Sequence, residues 1–294
     1  MPWLYRQVLV ATKNGFKCDV VMSGIPGSGK TMLTKILVTD LENLKVSNEV
    51  FSTDSYFTDS SGKYNFNPAL LNINHKKNQA AFAASAAQIR IVDNTNLAPN
   101  EFSAYFGHPS STGRLHFILQ TKKFTLAHLV KYGQHAIPRD HLAKMHQKYK
   151  IHLPMYIGIF PHTTDVEQAL SAAGVDPAPL IKQSTPLHVT CAFIGGQKKN
   201  ANVLSEYYSF FVEQEIPLRG DTTLPVIQIT GLSTNQAGHG LTVTSKIPVH
   251  HDHPHITLRT NFGFKAVDVG TNITEQNTAL LHCCPTTGML ALMF

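Results

Sequence analysis

The chain has 294 residues, of which 43% are apolar, and its formal net charge at pH 7 is +6. This length exceeds that of one small domain and suits two, each with enough apolar residues to bury a core. The moderately basic charge permits a phosphate-bearing partner, but many basic proteins bind no nucleic acid.

The cysteines and the first residues bear on the compartment. Cys283 and Cys284 are adjacent, while Cys18 and Cys191 are isolated. This spacing is typical of neither a secreted disulfide framework nor a metal site. The start of the chain lacks the apolar core of a signal peptide, and no run of about 18 apolar residues predicts a membrane span. We therefore expect a cytoplasmic protein without membrane contact.

The first half of the chain alternates apolar runs with amphipathic stretches. Predicted strands lie at 17–22, 49–52, 88–93 and 114–120, and predicted helices at 31–44, 68–85 and 139–150. One apolar face of the first helix is predicted to contain Leu33, Ile36, Leu37, Leu41 and Leu44, and one face of the last helix Leu142, Met145 and Tyr149. Strands that alternate with helices indicate an α/β domain whose parallel sheet is covered on both faces.

Beyond residue 150 most of the predicted elements are strands. They lie at 155–160, 187–195, 225–233, 240–248, 255–260 and 289–294, with helices at 165–173 and 201–214. This pattern indicates an α+β domain with a largely antiparallel sheet. We place the boundary near Ile151, which gives domains 1–150 and 151–294. A linker at 174–179 is the alternative, but it would separate the 155–160 strand from its sheet.

A phosphate-binding motif follows the first predicted strand. The segment GIPGSGKT matches G-x-x-x-x-G-K-[ST] and lies between an apolar strand and an amphipathic helix, as this motif requires. Its backbone N–H groups would surround a phosphate, the lysine would neutralise phosphate oxygens and the threonine would hold Mg²⁺. The motif predicts ATP and Mg²⁺ as cofactors. The expected binding residues are Gly24, Gly27, Ser28, Gly29, Lys30 and Thr31.

Two carboxylates follow later strands of the same half. Asp93, in IVDNTN, is placed to bind the metal or its waters. Asp54, in FSTDSYF, could accept the proton of an attacking hydroxyl. Each could instead cap the helix that follows it.

Together, GIPGSGKT, STDSYF, IVDNTN and HAIPRDHLAKM resemble the polynucleotide-kinase-type P-loop family over about residues 17–150. The resemblance implies that Asp54 acts as the base. That family usually carries a lid arginine just before the His-x-hydrophobic-Pro element, whereas the nearest cations here are Lys131 and Arg139. A lysine lacks the planar fork that braces a transferring phosphoryl group. The sequence therefore supports nucleotide binding, with Lys131 as the lid cation, and leaves kinase turnover open.

The second half contains the tripeptide His-aliphatic-Thr twice, beginning at His188 and at His255, each predicted inside an apolar strand. Side chains two residues apart in a strand point to the same face, so each histidine emerges beside Thr190 or Thr257. On neighbouring strands, the four groups would line one groove. One imidazole could then deprotonate water while the other protonates a leaving ribose oxygen, and the hydroxyls could hold the phosphate, without a metal.

Structural or metal-binding roles are the alternatives for these histidines. With sixteen histidines in the chain, a single such tripeptide would be unremarkable, and a lone strand histidine often belongs to the core. Two such motifs in the half without the phosphate loop favour the catalytic interpretation. The cluster of His250, His251 and His253 lacks carboxylates at ligand spacing and does not predict a metal site.

These motifs resemble the two-histidine (2H) phosphoesterase superfamily. A kinase-like domain followed by a 2H domain is similar to the myelin-type 2',3'-cyclic-nucleotide 3'-phosphodiesterases over nearly the whole chain. The resemblance implies a 2'-phosphate product and a position for Phe193 beside the base. The implied catalytic residues are His188, Thr190, His255 and Thr257. One departure is His253, where relatives often carry an arginine.

Three functions stay open. The first is hydrolysis of 2',3'-cyclic phosphates on nucleotides or RNA ends, joined to ATP binding or a 5'-hydroxyl kinase, in RNA processing or repair. The second is a 2',5'-oligoadenylate phosphodiesterase that counters antiviral signalling. The third is a non-catalytic scaffold that binds RNA or nucleotides. The P-loop domain favours the first over the second, and the intact His-Thr pairs disfavour the third.

Overall fold

In the computed structural model, the described residues are 2–133, 137–181, 186–196, 200, 202–215 and 224–293. The chain divides into two compact units, Met1–His152 and Leu153–Phe294. The boundary expected near Ile151 lies next to this division. Two predicted element ends, Ala201 and Phe294, lie outside the described residues.

The first unit contains a parallel four-stranded sheet. Its strands are β1 (Cys18–Ser23), β2 (Asn48–Phe51), β3 (Ile89–Val92) and β4 (Leu115–Gln120), in the order β2-β3-β1-β4. All strand pairs are parallel. Every residue of β1 and of β3 is buried, as expected for a sheet covered on both faces. The predicted parallel sheet is confirmed.

Six helices accompany this sheet within the described residues. They are α1 (Pro2–Lys13), α2 (Lys30–Asn43), α3 (Leu71–Ala84), α4 (Pro99–Phe106), α5 (Leu126–Tyr132) and α6 (Arg139–Lys148), with 3-10 turns at Thr53–Phe57, Pro68–Leu70 and Pro109–Ser111. Helices α1, α4 and α5 were not predicted from the sequence. Helix α1 buries Leu4, Val8 and Ala11 and contacts β1 and β4, so the first residues belong to the core of this unit.

The predicted apolar face of α2 is partly wrong. Its buried residues are Lys30, Thr34, Leu37 and Leu41. Ile36 is 45% exposed and Leu44 is 39% exposed. The phosphate loop fixes the start of the helix and turns Lys30 inward, and the inward face continues at four-, three- and four-residue steps. Counting apolar residues could not reveal a face that begins with a lysine and a threonine.

A buried ionic cluster joins three segments of the first unit. Arg90 donates from Nε and Nη2 to the two carboxylate oxygens of Asp19, both at 2.7 Å. Arg114 donates from Nε to Asp19 Oδ1, also at 2.7 Å. Asp19 and Arg90 face each other on β1 and β3, and Arg114 directly precedes β4. Further guanidinium donors of the two arginines reach backbone carbonyls, Ser110 and Ser111, so these bonds help to satisfy the buried charges.

We expect Asp19→Ala to lower the free energy of unfolding of the first unit by about 3–5 kcal/mol, because two arginines would stay buried without a counter-charge. Chemical denaturation of the full chain measures this loss. Glu42→Ala is the control, since Glu42 is an exposed acid in the same unit. Equal unfolding free energies for the two variants would contradict the importance of the cluster.

The second unit is built on antiparallel strands that close into a barrel. The strands are β5 (Tyr156–Pro161), β6 (Val189–Phe193), β7 (Val226–Asn235), β8 (Gly238–Ser245), β9 (His255–Thr260) and β10 (Thr278–Met293), in the order β10-β5-β6-β9-β8-β7. The helices are α7 (Thr163–Ala172), α8 (Val203–Glu206), α9 (Tyr208–Glu215) and α10 (Ala266–Thr271), with a 3-10 turn at Glu275–Asn277.

The predicted antiparallel sheet of the second unit is confirmed, but its closure, one helix and the first part of one strand were missed. Helix α10 was not predicted, and β10 has 16 residues where only its last part was predicted. Its register against β7 shifts between Leu280 and Cys284, so no simple alternation marks its first part. Within the described ranges, no helix has the length and apolar character that crossing a bilayer requires.

Candidate functional site

The predicted phosphate loop connects the end of β1 to the start of α2. Gly27 and Gly29 have φ angles of 81° and 89°, a left-handed region that favours glycine. A Cβ atom on Gly27 would lie 2.5 Å from the carbonyl oxygen of Leu129, whereas nothing lies within 4 Å of that position on Gly29. Gly24 is equally confined, because a Cβ there would lie 2.0 Å from Thr121 Oγ1. The loop thus has the glycine-dependent shape expected of an anion cradle.

Two ionisable groups at this loop have pKa values that are shifted in favour of their neutral forms. Lys30 is 9% exposed, and its Nζ donates to the carbonyl of Ile25 at 3.2 Å. Burial lowers the pKa of Lys30 to about 8, while the charges of Asp93 and Asp54 oppose this shift. Burial also raises the pKa of Asp93, opposed by the Thr31 hydroxyl and by Lys30. A bound phosphate would offer Lys30 a counter-charge, and a bound cation would offer one to Asp93.

Asp93 is suited to hold a divalent cation or its waters. Its Oδ1 is buried and has no hydrogen-bond partner within the described part of the chain. The Thr31 hydroxyl interacts with the same carboxylate. Oxygen donors of this kind are what Mg²⁺ prefers. The alternative role as a helix cap does not apply, because the N-cap of α4 is Ala98.

A cavity of about 1190 Å³ extends from the loop and contains Asp54. Asp54 lies in the 3-10 turn after β2, and the Tyr64 hydroxyl donates to its Oδ1 at 3.2 Å. The N-cap of that turn is Ser52, so Asp54 does not cap it. The cavity brings together the following predicted residues: Gly27, Gly29, Lys30, Thr31, Asp54 and Asp93.

The predicted lid cation lies apart from this cavity. Lys131 does not line it, and its Nζ lies over the Tyr132 ring, 5.2 Å from the centroid. The cavity receives Lys144 and Lys148 from α6 instead, and Lys148 pairs with Glu101 at 3.1 Å. Lys144 was missed, although its spacing from Lys148 places both on one helical face. Residues 134–136, before the expected lid proline, lie outside the described residues.

In the second unit, β6 and β9 are neighbours, and Val189 pairs with Ile256. Because the strands are antiparallel, this register sets His188 opposite Thr257 and Thr190 opposite His255. Val189 and Ile256 are fully buried on the other face. Side chains alternate along a strand, so the four predicted groups share one face of the sheet.

One detail of this prediction is wrong: His188 is not inside the strand. It directly precedes β6, which begins at Val189. Pro186, two residues earlier, has no N–H group to extend the strand ladder. His188 Nδ1 lies 2.9 Å from the carbonyl oxygen of Pro186, and this bond fixes the ring beyond the end of the strand.

The two imidazoles are held in the same way. His255 Nδ1 lies 2.9 Å from the carbonyl oxygen of His253, again two residues earlier. Because a carbonyl only accepts hydrogen bonds, each Nδ1 must carry a proton. In a neutral ring, Nε2 is then the basic nitrogen. Both histidines therefore have the tautomer that a proton-transferring group needs.

The surroundings of the two rings differ. His188 is half-buried and stacks on the rings of Tyr156 and Phe160, with centroid distances of 4.9 and 5.4 Å. Burial lowers the pKa of His188, the Pro186 carbonyl opposes this shift, and the charge of His255 adds to it. Burial also lowers the pKa of His255, and the charges of His251 and His253 add to this shift, while the carbonyls of His253 and Ala266 oppose it. The pKa of each imidazole is therefore lowered.

Glycine, aromatic and threonine residues around the four groups were missed. Gly158 on β5 faces Thr190, and Thr242 on β8 faces His255. Helix α10 packs Gly270 on the His255 ring so closely that an added Cβ would lie 2.1 Å from Cε1. Tyr156 and Phe160 flank Gly158 in alternate positions, which is a signal that the sequence offers. Gly270 has no comparable local signal, because its role depends on long-range packing.

Phe193 reaches the same face through an irregularity in β6. It pairs with Tyr156 while Thr190 pairs with Gly158, so β6 has one residue more than β5 over this interval. In a regular strand, Phe193 would instead point with Val189 into the core. The Phe193 side chain is 61% exposed. His250, from the neighbouring histidine cluster, contacts Glu206 Oε1 at 2.9 Å.

We expect NMR titration to give pKa values below the ordinary value of about 6.5 for His188 and His255. The unfolded chain would then bind protons more tightly than the folded chain. The stability contributed by these groups is therefore present above pH of about 6.5 and is lost as the pH falls below it. Values at or above the ordinary one would contradict the desolvated site.

No family model matches the chain. The chain is 30% identical over 139 residues to NEDD4-binding protein 2 of Homo sapiens. The match covers 45% of this chain but 8% of that protein. The chain thus spans a small part of the length of this relative.

Proposed function

We propose that the chain is a phosphoric diester hydrolase that converts 2',3'-cyclic phosphates of nucleosides or RNA ends to 2'-phosphates. The observation that carries the proposal is the pairing of Val189 with Ile256 on β6 and β9. This pairing puts the two imidazoles and two hydroxyls on one face. Four such groups around one phosphate match what in-line hydrolysis of a cyclic diester requires.

The different surroundings of the histidines suggest the direction of proton transfer. His188, stacked on two aromatic rings, acts as the neutral base that removes a proton from water. His255, whose Nδ1 proton is held by the His253 carbonyl, donates its Nε2 proton to the ribose oxygen. The water oxygen bonds to phosphorus as the bond from phosphorus to the 3' oxygen breaks. Thr190 would donate to one non-bridging oxygen. Thr257 would donate to the other by exchanging its 3.4 Å hydrogen bond to the Ala266 carbonyl, so that the phosphorus is held in line.

We expect His188→Ala and His255→Ala each to lower kcat for 2',3'-cyclic AMP by about 10²–10⁴-fold, because each removes one partner in proton transfer. The wild-type rate should show a bell-shaped pH dependence. His239→Ala is the matched control, since His239 on β8 faces Arg259 rather than either motif. Wild-type turnover in both site variants would end the assignment.

Product analysis separates this proposal from its nearest alternative. A 2',5'-oligoadenylate phosphodiesterase would use the same four groups, so only the substrate distinguishes the two. The protein is incubated separately with 2',3'-cyclic AMP and with 2',5'-oligoadenylate. Consumption of the cyclic substrate to a 2'-phosphate supports the proposal. Consumption of the oligoadenylate alone supports the alternative, and consumption of neither supports a non-catalytic scaffold.

The proposal extends to ATP binding by the first unit. Lys30 and the loop N–H groups would hold the phosphates, and Thr31 and Asp93 would hold Mg²⁺. Bound ATP supplies a transferable phosphoryl group. Asp54, in the same cavity, would take the proton of a 5'-hydroxyl acceptor. Transfer of label from ATP to a 5'-hydroxyl oligonucleotide tests whether the unit is a kinase.

We expect the affinity for ATP to be highest below pH of about 8 and to fall above it, because Lys30 then loses the proton that attracts the phosphates. Lys30→Met should abolish measurable binding in calorimetry while leaving the phosphodiesterase intact. Lys131→Ala is the control, since Lys131 lies outside the cavity. Equal ATP affinity in wild type and Lys30→Met would refute the site.

A further inference from the structure

A short hairpin follows the turn that carries Asp54. Thr58 forms a β-bridge with Tyr64, and the Asn65 N–H donates to the Phe57 carbonyl at 2.7 Å. Asp59 closes the loop, because it accepts from the backbone N–H of Ser61 at 2.9 Å and of Lys63 at 3.0 Å. The bridge and these bonds brace the hairpin and thereby position its side chains.

This hairpin presents two aromatic rings to the cavity of the phosphate loop. Tyr64 and Phe66 both line that cavity, and their ring planes are inclined by only 12°. Phe57 is buried and packs behind them, with its centroid 5.0 Å from that of Phe66. Phe66 nevertheless stays 53% exposed. An aromatic pair that lines a cavity and leaves Phe66 half exposed is an unusual use of apolar surface and is suited to stacking on a flat ligand.

The position of the Tyr64 and Phe66 rings beside Asp54 indicates which ligand they would contact. The Tyr64 hydroxyl donates to Asp54, and burial together with this carboxylate raises the pKa of Tyr64 to about 12. The rings therefore adjoin the carboxylate that would accept the proton of the acceptor hydroxyl. Tyr132 and Met145 line the cavity from α5 and α6, which are different elements. Mutation of Phe66 can therefore distinguish a flat ligand at the hairpin from one at Tyr132 and Met145.

We propose that Phe66, braced by Phe57 and Tyr64, stacks on the terminal base of a single-stranded polynucleotide that carries a 5'-hydroxyl group. This inference rests on the proposed ATP-dependent activity of the first unit. Every base offers a π-face, so the contact selects an unpaired 5' end without selecting a sequence. His75, Asn72 and Gln79 from α3 line the same cavity and supply polar groups for base edges.

The test uses the full chain and a ten-nucleotide RNA with 2-aminopurine as its 5'-terminal base. Stacking on Phe66 should quench the fluorescence of this base. Phe66→Ala should remove the quenching and weaken RNA binding about 5- to 150-fold, while Phe66→Tyr should restore both. Tyr56→Ala is the matched control, since Tyr56 is an exposed aromatic of the preceding turn that does not line the cavity. An RNA with the probe at its 3' end reports binding elsewhere on the chain.

Each outcome decides between named alternatives. Loss of quenching in Phe66→Ala with unchanged ATP affinity supports the inference. Unchanged quenching, or no quenching in the wild type, overturns it. Loss of ATP affinity in Phe66→Ala without loss of RNA binding also overturns it, because the rings would then hold adenine. Absence of phosphoryl transfer with normal 5' quenching would refute the kinase and leave the base site intact. The proposal and its premise therefore fail separately.

Discussion

The antiparallel pairing of β6 with β9 is the constraint on which the candidate chemistry of the second unit depends. Each strand carries a histidine and a threonine two positions apart, and alternation alone orients each pair. Only the pairing of Val189 with Ile256 makes the two pairs converge. Because both of these residues are fully buried, a shift of one strand by one residue would move an apolar side chain out of the core. Core packing thereby holds the register of the site.

Burial of ionisable groups separates structural from candidate functional charges. Asp19 is buried but saturated by two arginines, so its charge serves the stability of the sheet. Lys30 and Asp93 are buried with less compensation, and burial moves the pKa of each toward the neutral form. His188 and His255 are shifted in the same sense. Buried ionisable groups whose pKa is shifted toward the neutral form gain most from a charged ligand. Such groups therefore mark candidate sites.

The two proposed activities act on chemically related ends. Attack of a 2'-hydroxyl on the RNA backbone leaves a 2',3'-cyclic phosphate on one fragment and a 5'-hydroxyl on the other. The proposed hydrolase would open the first end, and the proposed kinase would phosphorylate the second. The aromatic hairpin around Phe66 would favour an unpaired end of this kind. The proposed function in RNA end processing would therefore give both candidate sites one class of substrate.

Local sequence was sufficient for features that depend on near neighbours along the chain. The phosphate loop, the two His-aliphatic-Thr motifs and the strand alternation rest on spacings of a few residues, which backbone geometry converts directly into shape. The parallel and antiparallel sheets followed from the same patterns. The inward face of α2 could not be predicted from these patterns. It includes Lys30 and Thr34, whose polar side chains give no sign in the sequence that they are buried.

Tertiary structure alone decided what depends on contacts between distant segments. Three features are of this kind: the order of the barrel strands, the packing of Gly270 on His255 and the position of Lys144 at the cavity. Each depends on residues that are far apart in the sequence, so no periodic pattern predicts it. The extra residue in β6 that turns Phe193 outward is defined only against β5. Spacing along one strand determines which side chains share a face, whereas the neighbours that those side chains meet are determined by how the whole chain buries its apolar surface.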